Sequence, residues 1–282
     1  MTLTPTGFFL YGDGMLIQLN SLTVNNLRLI VRDRILHAVL GVALVLLLLV
    51  PVLSGFSMRQ VQELSITLSL SAISLVLLVV TLLLGTSSVW RDVERRYVAS
   101  ILTLPISRAT YLLAKFCSMA IFLLLCGMIL AAVTCVVVPI SAAQYPSDLP
   151  IAWGAILVAI AADVLKYLLL AGIAILLSTV STSFFLPFFG TLAIYLAGSA
   201  SQEVYEFISG DFGRQAGPLA MGTVKGAYYL LPNLAAFDFK VHAVYSLPIT
   251  AESMALPLVY ASTYSALLLA LAIWVFNRRE LP

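Results

Sequence analysis

Residues 35–53 read ILHAVLGVALVLLLLVPVL. These nineteen residues contain no Asp, Glu, Lys or Arg. About 20 apolar residues in a helix cross the roughly 30 Å hydrocarbon layer of a bilayer. Ile35–Leu53 is therefore read as a transmembrane helix, and similar runs recur along the chain. Ile66–Val89, Tyr111–Val138 (closed by Pro139), Ile151–Val180 and Leu256–Phe276 are long enough to span. A sixth run, Phe184–Leu196, is shorter and carries Pro187 and Gly190. The whole chain of 282 residues is 61% hydrophobic and 10% charged, with a mean hydropathy of +1.05. A soluble domain is about 45–50% apolar and about 25% charged. Too little charge is present to cover a soluble globule, and disordered chains are charge-rich and apolar-poor. The expected fold is all-α and polytopic: six transmembrane helices, an N-terminal interfacial helix, and a helical outer segment before the last span.

N-terminal to the first span, Val24, Leu27, Val31 and Ile35 form an apolar stripe at 3-4-4 spacing. Ser21, Asn25, Arg28 and Arg32 line a neighbouring polar face. This pattern predicts an amphipathic helix over 19–36, suited to lying in the membrane interface. The plainer reading is the basic flank of the first span. Residues 1–18 read as a flexible lead-in without the charged n-region of a signal peptide, and Met15 is an alternative start. Residues 19–282 form one membrane domain. Its outer segment, 197–253, reads as a re-entrant or interface-lying helical hairpin, or as a small ordered cap.

Net charge is only +2, so nothing points to nucleic acid, but the placement of charge is informative. One set of loops holds Arg28, Arg32, Arg34, Arg91, Arg95, Arg96, Arg108, Lys115, Arg278 and Arg279. The other holds Arg59, Arg214, Lys225 and Lys240. The positive-inside rule makes the first set cytoplasmic, and with it both termini.

Five of those cations fall in Arg91–Lys115, RDVERRYVASILTLPISRATYLLAK. Val98, Ile101 and Leu102 form an apolar stripe beside Asp92, Glu94, Arg95 and Arg96. Pro105 cannot continue a helix, and Ser107 is placed to cap the next one. A short helix across the inner face, then a break over 91–110, would suit a lever pushed by a cytosolic partner. The plainer alternative is a basic loop obeying positive-inside.

This segment resembles the signature region of ABC-2-type permeases, the membrane subunits of ABC exporters. The match runs through Glu94-Arg95-Arg96, Ile101-Leu102-Thr103-Leu104, Pro105-Ile106-Ser107-Arg108 and Lys115. Leu231-Pro232-Asn233-Leu234-Ala235-Ala236-Phe237-Asp238 resembles a stretch before the last span in the subgroup that includes nitrous oxide reductase maturation permeases. One departure is Val98-Ala99-Ser100, where members often have Gly-Thr. The resemblance implies a second permease copy, usually the same chain, and two cytosolic ABC ATPase subunits. These would press on Arg91, Asp92, Glu94, Arg95, Arg96, Pro105 and Arg108. No G-x-x-x-x-G-K-[ST] loop occurs, so ATP and Mg²⁺ would bind the partner ATPase and no cofactor this chain. The implied location is the bacterial inner membrane, with the lipid bilayer and a periplasmic protein as further partners.

Two other features stand out. Asp163 and Lys166 lie mid-span, three residues apart and able to pair. Each costs about 2.5–3.5 kcal/mol at membrane centre. They line a path or dimer interface, or form a neutralised pair packed among helices. Tyr229, Pro232, Asn233 and Phe237 shape an outer gate, or simply end a helix at the interface. Neither His37 nor His242 sits in H-E-x-x-H, and Cys117, Cys126 and Cys135 alternate helix faces, so metal chemistry has no motif here. A secondary transporter or a non-catalytic anchor that transmits force remain as alternatives, the first weakened by the lack of an internal repeat.

Overall fold

The computed structural model describes residues 7–57, 60–94, 106–145, 149–210 and 218–279. Every regular element among them is helical: α1 (Gly7–Val31), α2 (Arg34–Ser54), α3 (Val61–Glu94), α4 (Arg108–Ala142), α5 (Trp153–Val180), α6 (Phe185–Ser209), α7 (Pro218–Leu230), a 3-10 turn (Ala235–Phe237), α8 (Lys240–Val244) and α9 (Ala251–Arg278). Five of these, α2, α3, α4, α5 and α9, are long and apolar enough to cross a membrane.

The short fifth span, Phe184–Leu196, differs from its sequence reading. It does not stop at Leu196, because α6 continues to Ser209 for 25 residues. At 1.5 Å per residue that is about 37 Å. Gly198, Ser201 and Gln202 dilute its apolar character, so it falls outside the five. Pro139 likewise does not close its helix; α4 runs through it to Ala142.

At the N-terminus the helix expected over 19–36 begins earlier, at Gly7, and ends earlier, at Val31. Residues 7–18, read as a flexible lead-in, are part of it. The break comes from Asp33. Its extended backbone and its Oδ1, which accepts from Ile35 N–H at 2.9 Å, cap α2. An Asp at N-cap satisfies an orphan donor that a continuous helix would not leave open. The face of α1 against the bundle carries Thr23 and Asn26, both buried, whereas Val24 and Val31 are exposed. Of the predicted apolar stripe only Leu27 packs against the core, while Val24, Val31 and Ile35 are exposed, as is the polar face Ser21, Asn25, Arg28, Arg32.

The core is the α3–α5 pair. Leu70, Ile73, Leu77 and Val80 of α3 recur at 3-4-3 spacing, and Tyr167, Leu170 and Ala174 of α5 at 3-4 spacing; all are fully buried. In lipid no hydrophobic force favours one apolar partner over another, so close packing of small residues and interhelical hydrogen bonds hold helices together. Gly85 meets that need: a Cβ there would overlap the Ala174 side chain. By contrast α2 leaves Val45, Leu48 and Val52 more than half exposed, an apolar face that none of the described residues covers.

Candidate functional site

The helix ends that carry the basic residues form one connected polar layer. Arg91 and Asp92 lie in the last turn of α3, which runs unbroken into Glu94 rather than ending near Val89. Asp92 Oδ2 accepts from Tyr111 OH at 2.6 Å and pairs with Lys115 Nζ at 2.7 Å, both on α4. Arg91 lies 3.7 Å from Asp33, the cap of α2. Glu94 is exposed. Arg95, Arg96 and Pro105, with the stripe Val98, Ile101 and Leu102, lie outside the described residues.

Helix α4 starts as the sequence predicts. Ser107 is the N-cap, its Oγ accepting from Thr110 N–H at 3.0 Å. Arg108 reaches the last turn of α9. Its Nη1 donates to the carbonyls of Phe276 at 2.7 Å, Arg279 at 2.9 Å and Asn277 at 3.3 Å. From the same end Arg279 Nη1 donates to Thr179 and Ser181 carbonyls at the end of α5, at 2.6 and 3.1 Å. Trp90 Nε1 donates to Thr182 O at 3.2 Å, joining α3 to α5. Two arginines thus satisfy carbonyls that helix C-termini leave unpaired. The ends of α3, α4, α5 and α9 are tied into one unit.

Under this layer lies a cavity of about 440 Å³, walled by α1, α3 and α4. Arg32, Asp33, Arg91, Asp92 and Lys115 surround it.

Asp163 and Lys166 do meet, as an ion pair on α5. The pair is only 3% and 7% exposed. Lys166 Nζ also donates to Ser74 Oγ of α3 at 3.4 Å, and Ser74 Oγ is 2.7 Å from Tyr167 OH. The Tyr167 ring stacks on Tyr195 of α6, centroids 6.1 Å apart. The charges therefore sit inside a three-helix polar network. Neither lines the cavity described above or the one described next.

At the opposite end, Asn233 stitches three elements. Its N–H donates to Tyr260 OH of α9 at 3.1 Å, and its Nδ2 to Gln202 Oε1 of α6 at 3.1 Å. Its Oδ1 accepts from Ala235 N–H at 3.1 Å, which starts the 3-10 turn. Pro232 and Phe237 are buried. Tyr229 is 78% exposed and lines a second cavity of about 570 Å³ with Tyr228, Tyr260 and Tyr264. The stretch docks through Gly198, whose carbonyl accepts from Leu234 N–H at 3.2 Å. A Cβ on Gly198 would stand 2.6 Å from Pro232 O, a backbone atom that cannot swing away. Gly198→Val should therefore lower stability by about 1–3 kcal/mol through overpacking. A thermal melt in detergent checks this, and a melting temperature equal to wild type would mean that the contact yields freely.

The ABC-2 family transporter protein family matches residues 21–281. The chain belongs to that family. No curated protein matches it. As an ABC-2 protein it is a membrane permease component of an ABC transporter, a kind of subunit that works with an ABC ATPase. Set beside that membership, the ABC-2 protein's polar layer includes residues that sequence reasoning missed as site members. Asp33 was detectable as an N-cap acid ahead of an apolar helix. Tyr111 and Arg279 carried no local signal, because their partners are 19 to 100 positions away.

Proposed function

We propose that this permease is the membrane half of an ATP-driven bacterial exporter. Two copies form the transport pathway, and two cytosolic ATPase subunits, which bind ATP and Mg²⁺, dock at the basic end. This chain binds no cofactor and performs no catalysis. Helix α6 serves as the fifth of six spans, which leaves both termini cytoplasmic, as the positive-inside bias requires. The Leu231–Phe237 stretch supports the subgroup that includes the nitrous oxide reductase maturation permeases.

The observation that carries this reading is the tied layer at the basic end. A force applied at Glu94, Arg95 and Arg96 would reach α4 through Asp92 and Lys115, α9 through Arg108, and α5 through Arg279. Rigid-body rocking of one copy against the other would then alternate access. The packed Asp163–Lys166 network supports such a motion by making α3 and α5 one body. At the far end, Asn233 and the cavity at Tyr229 would serve as the outer gate, with a periplasmic protein as its partner.

Charge reversal tests the docking. In the permease co-expressed with its ATPase, Glu94→Lys combined with Arg95→Glu should cut co-purified ATPase about tenfold, or abolish the permease's stimulation of hydrolysis. A rim charge pair contributes roughly 1 kcal/mol, so two reversals are enough to read. Unchanged co-purification together with unchanged stimulation would remove these residues from the interface.

A further inference from the structure

The cavity at the basic end is layered by depth. Helix α3 runs toward this end and α4 runs away from it. Leu84, seven residues before Arg91, therefore lies about 10 Å deeper than Arg91, and Met119 one turn deeper than Lys115; both line the floor. Leu29 of α1 lines it too and is 54% exposed, so the cavity opens sideways as well as at its mouth. Its mouth is charged, and its floor carries Leu84 and Met119 of two helices long and apolar enough to cross a membrane.

The charges are unevenly engaged. Lys115 is held by Asp92 at 2.7 Å. Arg91 is only 3.7 Å from Asp33, a contact too long for a hydrogen bond and half exposed. Arg32 has no ion pair or side-chain hydrogen bond among the described residues. The three cations exceed the two carboxylates by one charge. The deciding observation is Asn26. It is 6% exposed and lines the cavity, yet among the described residues nothing meets its side-chain amide. The amide is not fully sealed, so a polar ligand in the cavity can reach it.

We propose that this cavity binds the headgroup of an anionic glycerophospholipid from the inner leaflet. Arg32 and Arg91 donate to the phosphodiester, and guanidinium forks match phosphate oxygens. The Asn26 amide bonds an ester or hydroxyl oxygen of the headgroup. Leu29, Leu84 and Met119 take the first methylenes of an acyl chain. Basic pockets between transmembrane helices on the cytoplasmic side bind anionic headgroups in this way. The single excess positive charge suits a lipid of charge −1, and the volume is within the usual range for ligand sites. Asp33 and Asp92 oppose an anion, which is why Lys115 and Arg91 beside them are needed. The bound lipid would brace α1 against α3 and α4 directly below Glu94, so headgroup composition would set how firmly the polar layer is held. The lipid site stands whether or not an ATPase docks there.

The test uses the full chain in detergent with equal amounts of phosphatidylglycerol and phosphatidylcholine. Native mass spectrometry should show wild type retaining phosphatidylglycerol preferentially. Arg32→Gln with Arg91→Gln should reduce that retention on the order of 30-fold, Asn26→Leu should reduce it less, and the exposed Arg28→Gln should not. Thermal melts of wild type alone need no variant to fold: phosphatidylglycerol should raise the melting temperature, and phosphatidylcholine should not. Equal retention of both lipids, or no shift of the melt by phosphatidylglycerol, overturns the proposal. If inorganic phosphate at millimolar concentration protects as well as the lipid, the ligand is a soluble anion and the proposal fails. It also fails if the double variant keeps its lipid but loses a co-expressed ATPase, because the cavity is then a protein contact.

Discussion

Lys166→Met made alone is expected to lose about 3–5 kcal/mol of stability, enough to remove most folded protein from the membrane. The reason is the partner left behind. Asp163 is buried beside Lys166, and Ser74, the other group within reach of Lys166, already bonds Tyr167. Without the ammonium the carboxylate is an uncompensated charge among apolar side chains. Lys166→Met combined with Asp163→Leu removes both charges and leaves a similar volume. Replacing a buried ion pair by apolar residues is often neutral or stabilising by about 1–4 kcal/mol. The double variant should therefore recover expression and melt near wild type, while each single variant fails. Fluorescence-detected size exclusion and thermal melts read this directly. If the double variant is as unstable as Lys166→Met, the network through Ser74 and Tyr167 matters more than the pair. If it is abundant and stable but transport is lost, the pair takes part in transport beyond holding α3 to α5.

This pair illustrates what could be read from the chain and what could not. Spacing three on a helix was enough to predict that Asp163 and Lys166 meet, and they do. Their setting was not legible, since Ser74 is about 90 positions away and Tyr195 comes from another helix. The same division runs through the molecule. Apolar runs located the long helices, because crossing a bilayer leaves a strong compositional signal. Ser107 as a helix cap was legible, because capping is local. The end of α6 was not, because Gly198 and Gln202 look like helix-ending residues until Leu234 and Asn233 are seen to pack and bond against them. For the stretch 231–237, read as a gate or a helix end, the sequence did not show that Asn233 joins α6 and α9, because those contacts depend on two partners far away in sequence. The break at Asp33 is local, an N-cap acid that the 3-4-4 apolar stripe running across it hides.

Arg108→Ala should have the second large effect, about 3 kcal/mol of stability. One guanidinium nitrogen serves three carbonyls at the end of α9. Hydrogen bonds from a charged donor contribute about 1.5–3 kcal/mol, and a cation at a helix C-terminus adds about 0.3–1 kcal/mol. The guanidinium also lies 5.7 Å from the centre of the Phe276 ring, within cation–π range. Arg108→Lys keeps the charge but loses the planar fork, so it should recover part of the loss and not all of it. Stability alone would not separate this clasp from ordinary packing, but its position does. Arg108 is the first residue of α4, three positions after 95–105, the segment expected to take the push. In a reconstituted complex, Arg108→Ala should leave ATPase binding intact and reduce transport more than hydrolysis, because force entering at α3 and α4 would no longer reach α9. Lowering the temperature to restore the folded fraction would not restore the ratio of transport to hydrolysis. A normal ratio in a complex with normal ATPase binding would limit Arg108 to holding the helix end, and the route from α4 to α9 would then have to run through the stacked rings of Tyr111 and Phe276, 6.0 Å apart.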